Sequence, residues 1–379
     1  MAIDAELLHI PGRDQMQRRR FLKTAGVGAA ATTVAAPALA QGMPELKWRL
    51  TSSFPKSLDT LWGGAELFCG RISEITDGKF KITPFASGEI VPGFQVFDAV
   101  QNGTVEIGQT AAYYYIGKDI TFTFDTAMPF GLNSRQHVAW WMHGGGRQIM
   151  NEFYKDYGVV GHMMGGTGAQ MGGWYRKEIK TVDDLKGLKF RVGGFAGQIL
   201  GKLGVVAQQI PGGEIYPALE KGTIDAAEWV GPYDDEKLGF AKVAPYYYYP
   251  GWWEGTGMGT AYINQKAWDA LPSMYQKAIE VAANEVTLWM LAKYDNGNPV
   301  ALRRLVAGGV KLLPFPTPVL EACFNAANEL CNEIQAKNPK FKKVWDMWKP
   351  YRSEQVLWSR IAEGGFDGFM ARMYGAGKV

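Results

Sequence analysis

Two stretches of the sequence, FDAVQNGTVE at residues 97–106 and YPALEKGTID at residues 216–225, share one pattern about 120 residues apart. In each stretch a short helical segment stops at a glycine, the residue that most often follows a helix end, and a strand begins directly afterwards. The first strand leads into three tyrosines at residues 113–115, and the second leads into Glu228 and Trp229. Chance similarity is one explanation of the match. The other is an internal repeat, which indicates two related α/β units.

The segments around the first copy alternate between strand and helix patterns. LKWRLT at residues 46–51 and FKITPF at residues 80–85 alternate like strands, and residues 58–75 between them have helical spacing. Such alternation predicts βαβ units with a largely parallel sheet. Because ligands bind at the carboxyl ends of strands in these sheets, we expect the loops after both repeats to face one cleft. The predicted fold is therefore α/β, with two lobes and a ligand cleft between them.

Beyond residue 260 the helical patterns become long. Residues 267–295, 318–336 and 354–373 are predicted helices, separated by proline-rich links such as LPFP at residues 313–316. We expect this region to wrap the two lobes or to contact a second subunit, which would make a homodimer through the C-terminal helices.

The first forty residues have the pattern of an export signal. RRRFLK at residues 18–23 is followed by a weakly apolar stretch at 24–36 and by the small residues ALA at 38–40. This order predicts a bacterial Tat signal, cleavage after Ala40 and export of the folded protein to the periplasm. The alternative is a basic amphipathic start to the first domain. No later segment reaches the ~18 apolar residues of a membrane span.

Composition and missing motifs exclude several classes of function. The chain of 379 residues has a formal net charge of +3, which argues against a nucleic-acid partner because phosphate binding needs a basic surface. Four histidines and three cysteines leave little material for a zinc site. The sequence also lacks the G-x-S-x-G, P-loop, HExxH and CxxC motifs. We therefore expect a binding protein rather than an enzyme.

One arginine in the middle of the chain is a candidate ligand-binding residue. Arg191 lies in LKFRV at residues 188–192, a predicted strand on which Lys189 and Arg191 share one face. A solvated strand edge would explain this pattern. The position of Arg191 at the strand end, before two glycines, instead favours an arginine that clamps a carboxylate with its planar guanidinium group.

Two glutamates lie in unusually apolar surroundings. Glu228 follows IDAA, and Glu254 follows two tryptophans. Such acids need a partner, because burying an unpaired charge is costly. Either they pair with arginine or lysine, or they hold a hard cation that prefers oxygen ligands. In the second case Trp229 could add its backbone carbonyl, and Gln170 its amide oxygen.

Several longer runs resemble one family of receptors. They are SSFPKSLDT at residues 52–60, GAQMGGW at 168–174, RVGGFAG at 191–197, and the stretches 216–237 and 245–254. On these runs the sequence resembles the DctP-type solute receptors of tripartite ATP-independent periplasmic (TRAP) transporters. It is most similar to the branch that binds α-keto acids such as pyruvate. The resemblance implies two α/β lobes that are linked by crossing strands and a long helix and that close on a carboxylate.

The resemblance also implies roles for single residues. By position, Arg191 corresponds to the arginine that holds the ligand carboxylate, and Gln170 lies among the ligand-binding residues as well. Tyr113 and Tyr114 fall where a tyrosine of this branch reaches the ligand, and the sequence does not distinguish between them.

A cation site follows from the same resemblance. The cation ligands of this branch correspond to Gln170, Glu228, the backbone carbonyl of Trp229, and Glu254. The cation is sodium in this branch and calcium in a related lactate-binding branch, so we expect sodium, with calcium as the alternative. Such a cation would coordinate a carboxylate oxygen of the ligand together with the adjacent 2-oxo or 2-hydroxy oxygen.

The implied domain organisation covers the whole chain. Residues 1–40 form the Tat signal peptide, and residues 41–165, with part of 255–300, form lobe I. Residues 166–254 form lobe II. Residues 255–379 contain the crossing strands and the helical C-terminal region.

The function implied by the resemblance is that of an extracytoplasmic receptor. It would bind a small 2-oxo or 2-hydroxy monocarboxylate and deliver it to the small and large membrane subunits of a TRAP transporter. A metal-assisted periplasmic enzyme or a sensor for small carboxylates is the alternative. The sequence leaves open the chain length of the acid, the cation, the affinity and the oligomeric state.

Overall fold

The structure is a computed structural model that describes residues 43–378. Its strands are β1 (Leu46–Ser52), β2 (Phe80–Phe85), β3 (Ile107–Thr110), β4 (Val159–Gly166), β5 (Trp174–Tyr175), β6 (Lys189–Arg191), β7 (Val206–Gln208), β8 (Ala226–Ala227), β9 (Tyr246–Tyr249), β10 (Met258–Asn264) and β11 (Lys311–Pro314). Its α-helices are α1 (Leu61–Ile75), α2 (Val96–Gln101), α3 (Thr123–Thr126), α4 (Ser134–His143), α5 (Gly146–Tyr154), α6 (Ala196–Lys202), α7 (Gly212–Glu220), α8 (Pro232–Leu238), α9 (Gln265–Asp269), α10 (Ser273–Ala307), α11 (Thr317–Lys337), α12 (Pro339–Ile361) and α13 (Glu363–Gly375). The predicted signal peptide, residues 1–40, lies outside the described residues.

The strands form two mixed sheets, one for each lobe. The first has the order β2-β1-β3-β10-β4, and the second has the order β11-β9-β5-β8-β6-β7. The two-lobed α/β prediction is confirmed. The expected parallel pairing is confirmed for β1 with β2 and β3 and for β6 with β7 and β8. It does not extend to the whole of either sheet, because β10 runs antiparallel to β3 and β4, and β5 runs antiparallel to β8 and β9. Both strands follow a segment that has crossed from the other sheet, so each enters its new sheet from the opposite direction.

The internal repeat places one copy in each lobe. Helix α2 is followed by Gly103 at φ +73°, and helix α7 by Gly222 at φ +71°. This left-handed conformation suits glycine, because a Cβ atom there costs energy. The strands that follow, β3 and β8, belong to different sheets. The repeat therefore delivers the tyrosines at residues 113–115 from one lobe and Glu228 from the other.

The chain connects the two sheets in three places. Residues 167–173 join β4 to β5 and form the first crossing segment, and residues 250–257 join β9 to β10 and form the second. Helix α10 is the third connection. It packs on α1 and β4 beside the first sheet and on α8 beside the second, and the chain then enters β11.

The two crossing segments are hydrogen-bonded to each other. The Gln170 N–H donates to the Glu254 carbonyl at 3.2 Å, and the Gly251 N–H donates to the Gln170 carbonyl at 3.0 Å. The Thr167 N–H donates to the Gly257 carbonyl at 3.0 Å. Because these bonds fix one backbone against the other, two residues that are 84 positions apart, Gln170 and Glu254, lie side by side.

The apolar core connects the lobes as well. Buried side chains form two clusters, and each cluster takes residues from both sheets. Tyr262 of β10 and Phe190 of β6 belong to one cluster, and Leu50 of β1 and Trp174 of β5 belong to the other. Full burial of one such side chain stabilises the folded protein by about 1.5–3 kcal/mol. The described structure is therefore a form in which the two lobes are packed together.

The C-terminal helices differ from the predicted ones. The predicted helix at residues 267–295 is wrong at its start, because the chain breaks at residues 270–272 between α9 and α10, and α10 then extends to Ala307. The helix at 318–336 matches α11. The prediction for residues 354–373 is wrong, because the chain breaks at Ala362 between α12 and α13. Helix α12 begins at Pro339 and runs through Pro350, where buried aromatic side chains on one face offset the lost backbone bond. Among residues 43–378, no helix has both the length and the hydropathy needed to cross a bilayer.

Candidate ligand-binding and cation-binding site

A cavity lies where the crossing segments meet the loops after the two repeats. Its volume is about 30 Å³. Since one water needs about 10–15 Å³ on that measure, the cavity suits a ligand of a few atoms. Five predicted site residues line it, namely Tyr113, Tyr114, Gln170, Trp229 and Glu254.

Arg191 lies behind this cavity and is bound within lobe II. Its side chain is only 1% exposed, so the solvated strand edge is excluded for this residue. Nη1 donates to the Glu228 backbone carbonyl at 2.6 Å and forms a close ion pair with Glu228 Oε1, and Nε donates to the Ile210 carbonyl at 3.0 Å. Nη2 makes no hydrogen bond within residues 43–378. Burial opposes the charge, but the adjacent Glu228 carboxylate leaves the pKa of Arg191 above its ordinary value.

Glu228 uses only one of its two carboxylate oxygens. Oε1 accepts from Arg191 and from the Gly193 N–H at 2.7 Å. Oε2 is buried and has no partner in the described structure. Burial raises the pKa of Glu228, and the neighbouring Arg191 partly offsets that rise. The pairing with arginine that the sequence left open is therefore real, and it still leaves one oxygen available.

Gln170 and Glu254 bring two further oxygens to the same region. Gln170 Oε1 and Glu254 Oε2 are both buried without a partner in the described structure. Gln170 Nε2 donates to Thr167 Oγ1 at 3.3 Å, and the same hydroxyl oxygen accepts from the Gly257 N–H at 2.9 Å. Burial raises the pKa of Glu254 well above its ordinary value, the Glu228 carboxylate raises it further, and a hydrogen bond from Tyr113 opposes the rise.

These oxygens fit a hard cation. Buried polar atoms almost always have partners, so three unpartnered acceptors in one region are an unusual cluster. The Trp229 carbonyl is a fourth candidate, since it accepts no hydrogen bond from any described residue. Within residues 43–378, no three His, Cys, Asp or Glu side chains are placed to hold a metal. The candidate donors are two carboxylates, an amide and a peptide carbonyl, a combination that suits sodium or calcium rather than zinc.

Tyr113 reaches across the cleft, and Tyr114 stays beside its own lobe. Both belong to a short 3₁₀ helix, Ala112–Tyr115, directly after β3. The Tyr113 ring packs so closely on lobe II that a Cβ atom added to Gly193 would lie 2.8 Å from it. The Tyr114 ring lies 4.8 Å from that of Phe94. Tyr113 is therefore the tyrosine that packs against Gly193 and Gly194 of lobe II, and its hydroxyl opposes the rise in the pKa of Glu254.

Sequence reasoning missed two residues that position the site. Thr167 orients the Gln170 amide, as described above. Asp235 accepts from Trp174 Nε1 at 2.9 Å, from the Tyr247 hydroxyl at 2.7 Å and from the Val230 N–H at 3.3 Å, and so fixes the loop that carries the Trp229 carbonyl. Burial raises the pKa of Asp235 to about 7. The pair of aspartates after this loop was the available signal, because acids in an apolar context need partners.

Two family matches agree with the sequence patterns. Residues 51–338 match the family described as bacterial extracellular solute-binding protein, family 7. Residues 15–35 match the twin-arginine translocation signal. The second match confirms the predicted Tat signal.

The chain is similar to proteins that bind small carboxylates. It is 48% identical to a monocarboxylate 2-oxoacid-binding periplasmic protein of Nostoc sp., over 93% of this chain and 99% of that protein. A TRAP transporter solute-binding protein from Bordetella bronchiseptica is 53% identical, with a TM-score of 0.87 over 88% of this chain and 99% of that chain. It is a mixed-occupancy dimer with copurified calcium and picolinate in one active site. A TRAP solute-binding protein from Pseudoalteromonas atlantica with bound sodium and pyruvate is 38% identical, with a TM-score of 0.83 over 85% of this chain and 98% of that chain.

The first prediction concerns Gly257, which supports the proposed ligand set without belonging to it. A methyl group at this residue would lie 2.5 Å from Glu254 Oε2 and 2.7 Å from Gln170 Nε2. Gly257→Ala should therefore push these groups apart and weaken calcium binding at least about tenfold, or 1.4 kcal/mol, in calorimetric titrations. Gly213→Ala is the control, because a methyl group there meets no atom within 4 Å. Calcium affinity in Gly257→Ala equal to that of the control would contradict this ligand set.

The second prediction is a pH dependence of cation binding. Glu254 has a pKa well above the ~4.3 of an unfolded glutamate, so without a cation the folded protein binds the Glu254 proton more tightly than the unfolded chain does. This difference in proton binding stabilises the folded protein at low pH, and the stabilisation is lost as the pH rises through the raised pKa. A cation must displace this proton, so calcium affinity should increase as the pH rises through the raised pKa of Glu254.

Calorimetry in two buffers of different ionisation enthalpy would measure the protons released. Glu254→Gln should reduce the release, because the amide carries no titrating proton. Calcium binding that is independent of pH and releases no proton would contradict the assignment of Glu254 as a ligand.

Proposed function

The chain belongs to the bacterial extracellular solute-binding protein family 7, and from that premise we propose that it is the periplasmic receptor of a TRAP transporter for small 2-oxo or 2-hydroxy monocarboxylates. The observation that carries this proposal is the set of three buried oxygens without partners on Gln170, Glu228 and Glu254. Gln170 and Glu254 line the small cavity, and the Glu228 carboxylate lies close enough to Glu254 to raise its pKa. Such a site holds a cation, and a cation attracts an anionic ligand.

The cation favours acids with a second donor atom beside the carboxylate. Pyruvate offers a carboxylate oxygen and the 2-oxo oxygen, which together close a five-membered chelate ring on the metal. Picolinate offers its ring nitrogen in the same position. These are the ligands found with sodium and with calcium in the two structural relatives. We therefore propose that chelation, rather than apolar contact, selects the ligand class.

The charges at the site favour joint binding of the acid and a cation. With both glutamates ionised, Arg191, Glu228 and Glu254 leave one net negative charge, and a bound acid anion makes it two. A sodium ion returns the net charge to one negative, and a calcium ion brings it to zero. Because buried charges are costly unless they are paired, the acid and the cation should bind together.

Arg191 contributes its positive charge to ligand binding, but few of its N–H groups are free to bond to the ligand. A bidentate grip on the ligand through Nη1 would require Arg191 to release Glu228. We propose that Nη2 donates to the ligand carboxylate while Nη1 and Nε keep their bonds within lobe II. The guanidinium group then neutralises Glu228 and orients it toward the cation.

The positions of the ligand-binding residues explain how binding of the acid and the cation would close the receptor. Gln170 and Glu254 lie on the two crossing segments, Glu228 and Trp229 belong to lobe II, and Tyr113 extends from lobe I. An acid and a cation that touch all of these groups would stabilise the closed form selectively. We propose that this form docks on the small and large membrane subunits of the transporter.

We propose further that the receptor does not convert its ligand. The alternative of a metal-assisted enzyme predicts consumption of pyruvate or lactate, which nuclear magnetic resonance of the recovered acid would detect. The alternative of a sensor predicts that genes for the two membrane subunits are missing beside this gene.

We propose a second copy of this chain as a partner. The C-terminal helices expose a set of large apolar side chains that includes the following, each between 50% and 68% exposed: Leu357, Trp358, Ile361, Phe366 and Phe369. An apolar surface of this kind marks an interaction site. The relative from Bordetella bronchiseptica is a dimer, which supports a like partner here.

The third prediction is that acid and cation stabilise the protein jointly. A ligand that binds only the folded state raises the melting temperature, and two coupled ligands strengthen each other by the same factor. Pyruvate should therefore raise the melting temperature strongly with sodium or calcium and only slightly after chelation and sodium removal. Acetate, which lacks a second donor atom, should do little in either condition. Equal stabilisation by pyruvate with and without cation would contradict the joint site.

Two variants separate the cation from the acid. Glu254→Gln should weaken the cation dependence, because it removes one negative charge from the ligand set. Arg191→Lys should weaken pyruvate binding by roughly 1.5–3 kcal/mol, because an ammonium group cannot reproduce the directed guanidinium bonds. Lys189→Arg is the control on the same strand, since that side chain is exposed. Wild-type pyruvate affinity in Arg191→Lys would exclude Arg191 as a ligand residue.

The fourth prediction tests the dimer. Leu357→Glu places a charge in the apolar set and should shift the protein to the monomer in light scattering at micromolar concentration. Val281→Glu is the control, because Val281 is an exposed apolar residue on α10, outside that set. A wild-type monomer at the same concentration, or a Leu357→Glu dimer, would overturn this proposal.

A further inference from the structure

The cavity has an apolar end that the cation-binding residues do not explain. Three methionines line it, Met164 of β4, Met258 of β10 and Met290 of α10, and all three are buried. Phe54 and Leu61 add to the same wall. Methionine is flexible and polarizable, so a wall built from it adapts to ligands of different shape.

Glycines in the surrounding elements make room for the methionine tips. A Cβ atom added to Gly64 of α1 or to Gly165 of β4 would lie 2.7 Å from the Met290 methyl carbon. A Cβ atom added to Gly166 would lie 2.9 Å from the Met258 sulfur. The end of the Met290 side chain is therefore held between two backbones and borders the cavity at the same time.

The apolar and polar ends follow each other along one piece of chain. Gly165 and Gly166, which contact the methionines, directly precede Thr167 and Gln170 on the first crossing segment. A ligand whose carboxylate and second donor atom are held at the Gln170 end therefore directs its remaining carbon atoms toward Met290 and its neighbours.

We propose that Met290 sets the length of the acid side chain that the receptor accepts. This inference rests on the proposed function, because it assumes that the cation holds the polar end of the acid. Met290 is the methionine whose terminal methyl group is enclosed by two glycines from different elements. A longer acid must displace that group, and a shorter side chain at residue 290 would leave the space open.

Two variants should move the preference in opposite directions. Met290→Ala enlarges the apolar end, so the affinity for 2-oxovalerate should rise at least tenfold relative to that for pyruvate. The reason is that each methylene group buried against apolar surface increases affinity about fourfold. Gly64→Ala places a methyl group 2.7 Å from the Met290 methyl carbon and must displace it. Because Gly165 closes on the same methyl group, we expect it to move into the cavity, so the affinity for 2-oxovalerate should fall at least tenfold while that for pyruvate stays within threefold. Met274→Ala is the control, because Met274 is an exposed methionine on the same helix.

The measurement is calorimetric titration of pyruvate, 2-oxobutyrate and 2-oxovalerate at saturating calcium. Opposite changes in the ratio of the 2-oxovalerate and pyruvate affinities in the two variants, with no change in the control, would support the inference. Unchanged preference in both variants would overturn it. If Met290→Ala does not fold, Gly64→Ala decides, because it alters no residue that lines the cavity. Failure of the wild-type protein to bind any of the three acids would overturn the proposed function instead.

Discussion

The structure depends on one physical constraint, the need of buried oxygen atoms for partners. Gln170, Glu228 and Glu254 each keep an oxygen that is removed from water and that no described group satisfies. The Arg191–Glu228 ion pair removes only part of the free-energy cost of burying these oxygens. Arg191 bonds to one carboxylate oxygen of Glu228, and Glu254 has no opposite charge of its own. A bound cation would supply the missing partners. It is also the element that a small carboxylate, with little apolar surface to bury, needs for tight binding.

The fold places this constraint at the connection between the lobes. Gln170 and Glu254 belong to the two crossing segments, which are hydrogen-bonded to each other. Glu228 and Tyr113 follow equivalent strands of the two repeats. A cation between them would therefore be bound by the connecting segments and by a residue of lobe II at once. Occupation of the site would then be linked to the relative position of the lobes. The backbone segments that carry the candidate cation ligands are held in place by Thr167, Gly257 and Asp235.

The sequence predicted those parts of the fold that depend on local patterns. Strands β1 and β2 and the two repeats follow from alternation and from the glycines that end helices. The antiparallel entry of β5 and β10 was not predictable, because it depends on where the chain crosses between sheets. At the site, the type of residue identified Glu228, Glu254 and Arg191. Their pairing, and the glycines around Met290, required the positions of groups that are far apart in sequence.

The most direct test is a crystal structure of the protein grown with pyruvate and calcium, with the cation located by its anomalous signal. The account predicts calcium at about 2.3–2.6 Å from Gln170 Oε1, Glu228 Oε2, Glu254 Oε2 and the Trp229 carbonyl oxygen. It also predicts that a carboxylate oxygen and the 2-oxo oxygen of pyruvate complete the coordination. Pyruvate held by Arg191 with no cation beside it, or calcium bound elsewhere in the chain, would contradict the account.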